Sequence, residues 1–372
     1  MGRDDVDFFK RQLSSDSRED DGGFNEYESL SFFNLPRTES PIDVVLAVQA
    51  VTISSRWVAG DIPIDNLVLD LTSGHAIVGV IREKGKAVEG FRVGDRVATI
   101  VQTLPHNPRY AKVSAEVVVK VPSGVDSADA ASCAYTYLRA FQSLNHGVPF
   151  RERYNPNSLN GQNILVVDGS GQTGQATIQL AKIIGAKKVY AVGDSLHHRF
   201  LKTLGSIPLN PEGGVESVEK EMDLVIDSVQ SHHYKHFTAA KALKSDGKLV
   251  VVGTPLTMDG LRKQSCQAFV EDFFAQINLM FVDQKKATFY DLFSSVIHYP
   301  EIMKMDLEVV FSLLARGLIK PRIIKYINTD ELAHGYLTVN SSTIMGSIIY
   351  EPWIKRGPPK YFRNDNMYSH MT

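Results

Sequence analysis

The chain has 372 residues, 43% of them hydrophobic, and a formal net charge of −2. That is enough for two domains with substantial cores, and the near-balanced charge argues against nucleic acid or an anionic membrane as an obligatory partner. No apolar run approaches the ~20 residues of a membrane span, and the two cysteines, Cys133 and Cys266, cannot build a disulfide framework or a four-thiolate zinc lobe.

Residues 1–27 are polar and charged, with acidic side chains crowded between Asp16 and Asp21. They bury too little apolar surface to offset ordering entropy, which predicts a flexible arm. The same stretch lacks the apolar core of a secretion signal and is too acidic for a transit peptide. Val6 stands where a myristoylation signal needs Ser or Thr, so a cytoplasmic protein is expected.

Short β-rich runs follow at 43–53, 74–81, 96–101 and 114–121, the third preceded by a Gly94-Asp95 turn and the last closed by Pro122. Many short strands with turn signals and little helix predict a compact β-rich unit, in which Gly79 permits close strand packing. A helix over 128–144 then carries the chain out through an irregular, Asn- and Pro-containing loop at 145–161.

The stretch from Asn163 to Leu180 reads NILVVDGSGQTGQATIQL. Its Ile164–Val167 run suits a strand buried on both faces, and apolar residues at helical spacing follow, with Gly185 placed to stop the helix. Between them Gly169, Gly171 and Gly174 have the spacing G-x-G-x-x-G. The first allows the tight strand-to-helix turn, the second lets a pyrophosphate approach the backbone, and the third lets helix and sheet pack closely. The helix would direct its free N–H groups and positive end at the phosphates. Further strands are expected at 188–192, 222–229 and 248–253, with helices at 196–204 and 231–244. This β-α alternation predicts a doubly wound dinucleotide-binding sheet ending near residue 283. Helices are then expected at 287–296 and 306–315, the second stopped by Gly317, and a strand at 344–350 is expected to return to the first unit. The resulting division is an arm at 1–27, a β-rich unit at 28–145 and 284–352, a nucleotide-binding unit at 146–283, and a fraying tail at 353–372.

This order, together with Gly74-His75, the run Gly90-Phe91-Arg92-Val93-Gly94-Asp95-Arg96-Val97, Val119–Pro122, the Gly169–Gly174 loop, residues 243–253 and Gly317–Pro321, resembles the medium-chain dehydrogenase/reductase superfamily. More narrowly it resembles the zinc-free quinone oxidoreductase and enoyl reductase branch. The resemblance implies an α/β fold, a Rossmann doubly wound parallel-sheet domain joined to a β-rich GroES-like catalytic domain, and it covers about residues 30 to 352. It also implies a homodimer acting on a small enone or quinone, either free or carried by a synthase partner.

Zinc-dependent members of the superfamily place a cysteine where Ser54 falls, a histidine where His75 falls, and a further cysteine or acid near Cys133, where Tyr135 fits the register better. The glutamate that usually follows the histidine is Ala76. A serine hydroxyl is a poor ligand beside a thiolate, so a zinc-free site is expected. Zinc-free members transfer hydride from a reduced nicotinamide to a conjugated acceptor, whose developing anion needs a donor and a proton. Tyr135, Tyr137, Ser54 and His75 are the implied candidates, each with a structural alternative: packing at the domain junction for the tyrosines, a hydrogen-bonded core histidine for His75. Arg139 departs from the threonine common at its position; it is suited to a carboxylate or phosphate on the substrate, or else faces solvent.

For the cofactor, the implied contacts are Gly169, Ser170, Gly171, Gln172, Thr173 and Gly174, with Gly253 and Thr254 after the fourth strand. The family register places Gly193 where NAD-specific relatives carry an acid, and Ser195, His197, His198 and Arg199 follow, which favours NADP over NAD. Asp194, twenty residues after Gly174, stands against that choice. Two function classes remain: an NAD(P)H-dependent reductase, and a nucleotide-binding interaction or sensor protein without turnover.

Overall fold

The computed structural model describes residues 37–38, 40–53, 75–101, 109–228, 239–252, 287–331 and 345–353. The expected arm at 1–27, Ser54, Gly253, Thr254, Cys266 and the tail beyond Trp353 lie outside these residues.

The first sheet contains β1 (Asp43–Ile53), β2 (His75–Lys84), β3 (Arg96–Val101), β4 (Tyr110–Ser114), β5 (Val119–Lys120) and, from the far end of the chain, β12 (Ile323–Ile327) and β13 (Ser347–Tyr350). Six lie in the order β12-β13-β1-β2-β3-β5; β4 pairs with the first half of β1 and β13 with its last residues. Only the β12–β13 pairing is parallel. The expected close packing at Gly79 is present, since a Cβ there would lie 2.7 Å from the Ala47 carbonyl oxygen. The strand expected over 114–121 is instead β4, a 3₁₀ turn at Ala115–Val117 and β5. The turn forms because the Ser114 hydroxyl accepts from the Glu116 N–H and draws the chain out of the ladder.

The second sheet is wholly parallel and holds β6 (Asn163–Val167), β7 (Lys188–Val192), β8 (Ile207–Leu209), β9 (Met222–Asp227), β10 (Leu243–Val252) and β11 (Ala287–Tyr290). Its order is β11-β10-β9-β6-β7-β8. Counted along the chain, that is the 3-2-1-4-5-6 pattern of a dinucleotide-binding sheet. Ile164 and Val166 of β6 enter one apolar core and Leu165 and Val167 the other, so both faces are covered. This explains why β6 reads as an unbroken apolar run.

Five α-helices are described: α1 (Ser127–Leu144), α2 (Gln172–Ile183), α3 (His198–Thr203), α4 (Leu292–His298) and α5 (Pro300–Ala315). Asp126 caps α1 by accepting from the Ala128 and Asp129 N–H groups at 2.8 and 3.2 Å. The helix is almost wholly buried, with a run of alanines that lets it pack against α2, α5, β1, β2 and β3 together. One apolar core therefore runs from the first sheet through α1 into the second. The buried Ser132 and Ser347 hydroxyls, 2.7 Å apart, tie α1 to β13.

Several element boundaries differ from the sequence expectation. Ala287–Tyr290 is a strand, not the start of a helix over 287–296. It extends the second sheet to Tyr290, past residue 283, and Asp291 caps α4 immediately after it. The helix expected at 231–244 is described only from Ala239 and gives way to β10 at Leu243. The helix expected at 196–204 is a 3₁₀ turn at Ser195–His197 followed by α3. The helix expected from Asp306 starts a turn and a half earlier, with Pro300 as its first residue, as proline's fixed φ allows. No helix among the described residues is long and apolar enough to cross a membrane.

Candidate dinucleotide site

In the second sheet the connections from β6 run to opposite sides: β7 lies on one flank and β9 on the other. The crevice at the carboxyl ends of β6 and β9 is the switch point where such sheets take ligands. The Gly169–Gly174 loop lies there, between β6 and α2.

Two glycines do what the sequence demands of them. Gly169 donates to the Val192 carbonyl at 2.8 Å, and a Cβ on it would lie 2.7 Å from the Ala191 Cβ. A Cβ on Gly174 would overlap the Asp168 carbonyl oxygen and lie 2.8 Å from the Gly169 Cα, so β6 and α2 meet only because it is absent. Gly171 differs from expectation. The space its missing Cβ leaves is filled by the Asp168 carboxylate, whose Cγ lies 2.8 Å from the ideal Cβ position. Asp168 takes a left-handed φ of 60°, and its Oδ1 accepts from the Gly171 N–H at 3.2 Å.

The rest of the loop is held by amides. Gln175 Nε2 donates to the Ser170 carbonyl at 2.6 Å, and Gln172 Nε2 reaches across to the Gly346 carbonyl at 2.9 Å. Thr173 is buried, and its carbonyl accepts from Thr177 Oγ1 at 2.8 Å. A small polar cavity lies between the lobes beside Ser132, Thr136, Gln172, Gln175 and Arg322. Arg322 stacks its guanidinium over the Phe200 ring of α3, 4.6 Å from the centroid.

At the end of β7, Gly193 is buried and sits beside Ser170; a Cβ there would approach the Leu201 side chain at 3.0 Å and Ser170 Oγ at 3.7 Å. The carboxylate of Asp194 turns into its own 3₁₀ turn and accepts from the Leu196 N–H at 2.8 Å. Ser195 and Arg199 are exposed, and His197 is half-buried with its Nδ1 lacking a hydrogen-bond partner. His198 Nε2 lies 3.1 Å from the Gly193 carbonyl oxygen.

The two candidate tyrosines do not point to a common place. Tyr135 and Tyr137 are two positions apart on α1, so they leave it on nearly opposite sides. Tyr137 is buried, and its hydroxyl donates to the Lys320 carbonyl at 2.9 Å; burial pushes its pKa well up. Tyr135 is 7% exposed, with the Arg139 guanidinium 5.9 Å from its ring centroid. His75 opens β2 opposite Val101.

Two features escape the sequence. One is Asp168, whose only signal is a short polar residue at the strand end, where a left-handed φ is tolerated. The other is a buried polar knot behind the site. Asp306, whose side chain has no exposure, accepts from Arg153 Nε and Nη2 at 2.8 and 2.5 Å, Gln142 Nε2 at 2.7 Å and Tyr154 at 3.0 Å. Tyr290 donates to Gln142 Oε1 at 2.7 Å, so the knot joins α1, the 149–154 turn, β11 and α5. Burial and the Asp306 charge push the Tyr154 hydroxyl up to about 12, and burial also holds the Tyr290 hydroxyl well above its ordinary value. Among the described residues no group of three or more His, Cys, Asp or Glu is gathered that could hold a metal.

No family model matches the chain. Over 328 residues, 82% of the chain, it is 26% identical to the highly reducing polyketide synthase 40 of Fusarium mangiferae, and it spans 12% of that synthase's length. It is 22% identical over 309 residues to an acryloyl-coenzyme A reductase of Sulfurisphaera tokodaii, covering 75% of this chain and 83% of that protein. The crystal structure of CurK enoyl reductase superimposes with a TM-score of 0.64 at 18% identity, over 86% of this chain and 92% of the other. The chain resembles the medium-chain dehydrogenase/reductase superfamily, on its enoyl reductase and quinone oxidoreductase side. It has that group's α/β fold, a Rossmann sheet joined to a β-rich GroES-like lobe.

Proposed function

We propose that this chain is a zinc-independent, NAD(P)H-dependent reductase that passes hydride to a conjugated carbonyl or a quinone. The observation that carries the reading is the 3-2-1-4-5-6 parallel order with the G-x-G-x-x-G loop at its switch point. It occurs on a chain that resembles enoyl and quinone reductases across both lobes.

The residues present suit a dinucleotide in most respects. Gly169 and Gly174 close the turn, the twelve-residue α2 directs its positive end at the loop, and Gly193 leaves room beside Ser170. Ser170, Gln172 and Thr173 would line the loop, Gly253 and Thr254 would follow β10, and Ser195, His197 and Arg199 would flank the adenosine end, with NADPH preferred. A bound reduced nicotinamide supplies the hydride. The chain's own task is to orient the acceptor, stabilise the anion that develops on it, and deliver a proton. Tyr137 is engaged with the Lys320 carbonyl, which leaves Tyr135, Ser54 and His75 for that work. Arg139, stacked on Tyr135, brings positive charge suited to an acidic or phosphate-bearing acceptor. An acceptor carried by a synthase is consistent with the likeness to a polyketide synthase, and action as a homodimer belongs to the same proposal.

The departures from the family pattern at Ala76 and Arg139 support a second reading, a nucleotide-binding protein without turnover. Binding is tested first. Titration of the purified protein with NADPH and NADH, followed by nicotinamide fluorescence, is expected to show tighter NADPH binding, and elemental analysis to show zinc far below one per chain. Tighter NADH binding would reverse the cofactor preference. Stoichiometric zinc, lost together with activity on chelation, would overturn the metal-free mechanism.

A further inference from the structure

We infer that Asp168 is a built-in occupant of the phosphate cradle and sets the affinity of this chain for dinucleotides. The inference rests on the dinucleotide reading of the loop and deepens it. In a G-x-G-x-x-G loop the second glycine leaves open backbone so that a pyrophosphate can approach it. Here that opening holds the protein's own anion. The Asp168 carboxylate lies over Gly171, with Oδ1 accepting from the Gly171 N–H at 3.2 Å and Cγ 2.8 Å from where a Cβ would stand. The backbone makes this possible: φ of 60° at Asp168 folds the side chain back over the turn, and aspartate tolerates that region better than most residues.

The placement is stable in itself. Gly171 is the N-cap of α2 and has no side chain to cap the helix; the Asp168 carboxylate shares the Gly171 N–H with its own backbone carbonyl, each at 3.2 Å, and meets the positive end of the helix dipole. Those are the two features that would otherwise attract a phosphate. A pyrophosphate entering the loop must either displace the carboxylate or lie beside it at close range, and both lower affinity. The remaining polar groups of the loop add to the closure, since Gln175 holds the Ser170 carbonyl and Gln172 holds Gly346.

Asp168 thus discriminates by phosphate and not by nicotinamide. Any ligand that places a pyrophosphate over Gly171 bears the penalty, and a nucleoside without phosphate escapes it. Two substitutions separate charge from space. Asp168→Asn keeps the size and the tolerance of a positive φ but removes the charge; Asp168→Gly removes both and relieves the backbone. The experiment titrates wild type and both variants with NADPH, ADP-ribose and adenosine, at one ionic strength, with thermal melts to confirm folding. The expected result is a fall in Kd of about tenfold or more for NADPH and for ADP-ribose in both variants, larger for Asp168→Gly, with adenosine unchanged. Binding detectable only in the variants would support the inference in its strongest form. Wild type binding NADPH as tightly as folded Asp168→Asn and Asp168→Gly would overturn it and leave the cofactor reading standing. Failure of all three proteins to bind NADPH or ADP-ribose at millimolar concentration would overturn the dinucleotide reading and the inference with it.

Discussion

Substituting Gly174 tests the strand-to-helix turn more sharply than any other change, because its neighbours are backbone. Alanine at this third position of α2 would gain about 1 kcal/mol of intrinsic helix stability. Against that, the new Cβ would overlap the Asp168 carbonyl oxygen and stand 2.8 Å from the Gly169 Cα and 2.9 Å from the Asp168 carbonyl carbon. Ordinary contact begins near 3.4 Å, so the turn must open by more than half an ångström against the β6–β7 and β6–β9 pairing. Overpacking of this kind costs about 1–3 kcal/mol where side chains can yield, and more where backbone must move. The net loss for Gly174→Ala is therefore about 2 kcal/mol or more, or about 2–3 °C or more in Tm for a chain of this size. Gly171→Ala is the internal control. Its Cβ meets the end of the Asp168 side chain, which can rotate away at the expense of one hydrogen bond, about 1 kcal/mol. Thermal melts by circular dichroism should rank Gly174→Ala well below Gly171→Ala. A Gly174→Ala protein melting within a degree of wild type would refute the packing argument.

Asp306→Ala strands the Arg153 guanidinium, whose side chain is 13% exposed, and should cost about 3–5 kcal/mol in urea unfolding; Arg153→Met in the same protein should recover part of the loss, and a single variant as stable as wild type would contradict the knot. The raised tyrosines give an alkaline signature. With the folded pKa above the unfolded value near 10, the unfolded chain releases its proton first, so stability is present below about pH 10 and falls as pH rises toward 12; tyrosinate absorbance that rises fully near pH 10 with the fold intact would contradict it. Arg199→Ala should weaken NADPH by about tenfold while leaving NADH nearly unchanged, and equal effects on both would remove Arg199 from the adenosine pocket.

The parts of the fold that rest on local pattern could be read from the sequence. The apolar run of β6, the glycine spacing after it, the alanine-rich α1 and the returning strand at Ser347–Tyr350 each announce themselves within a few residues. Ala287–Tyr290 does not, because the apolar stretch of β11 runs into that of α4 across the single polar residue Asp291. Its place in the sheet is decided by pairing with Leu249–Val252, nearly forty residues earlier. The polar knot is hidden for the same reason: its members at 142, 153, 154, 290 and 306 meet only once four elements have packed. Tyr137 shows the limit for the site itself. As a tyrosine on the helix leading to the cleft it suits a proton donor, yet its hydroxyl is held by a carbonyl 183 positions away in sequence. Asp168 was visible as a letter, but its effect depends on one backbone angle.

The central claim is turnover, and the most direct measurement is consumption of NADPH deuterated at the transferable C4 position, by the full chain, against a panel of quinones, free enones and enoyl thioesters. With at least one acceptor class, and without added zinc, nicotinamide absorbance should be lost; an enone or enoyl product should carry deuterium on the reduced carbon, while for a quinone, whose hydroxyl deuterium exchanges with water, the readout is NADPH oxidation matched by hydroquinone formed. Saturable NADPH binding with no oxidation across the whole panel would contradict it, and would leave a nucleotide-binding protein in place of a reductase.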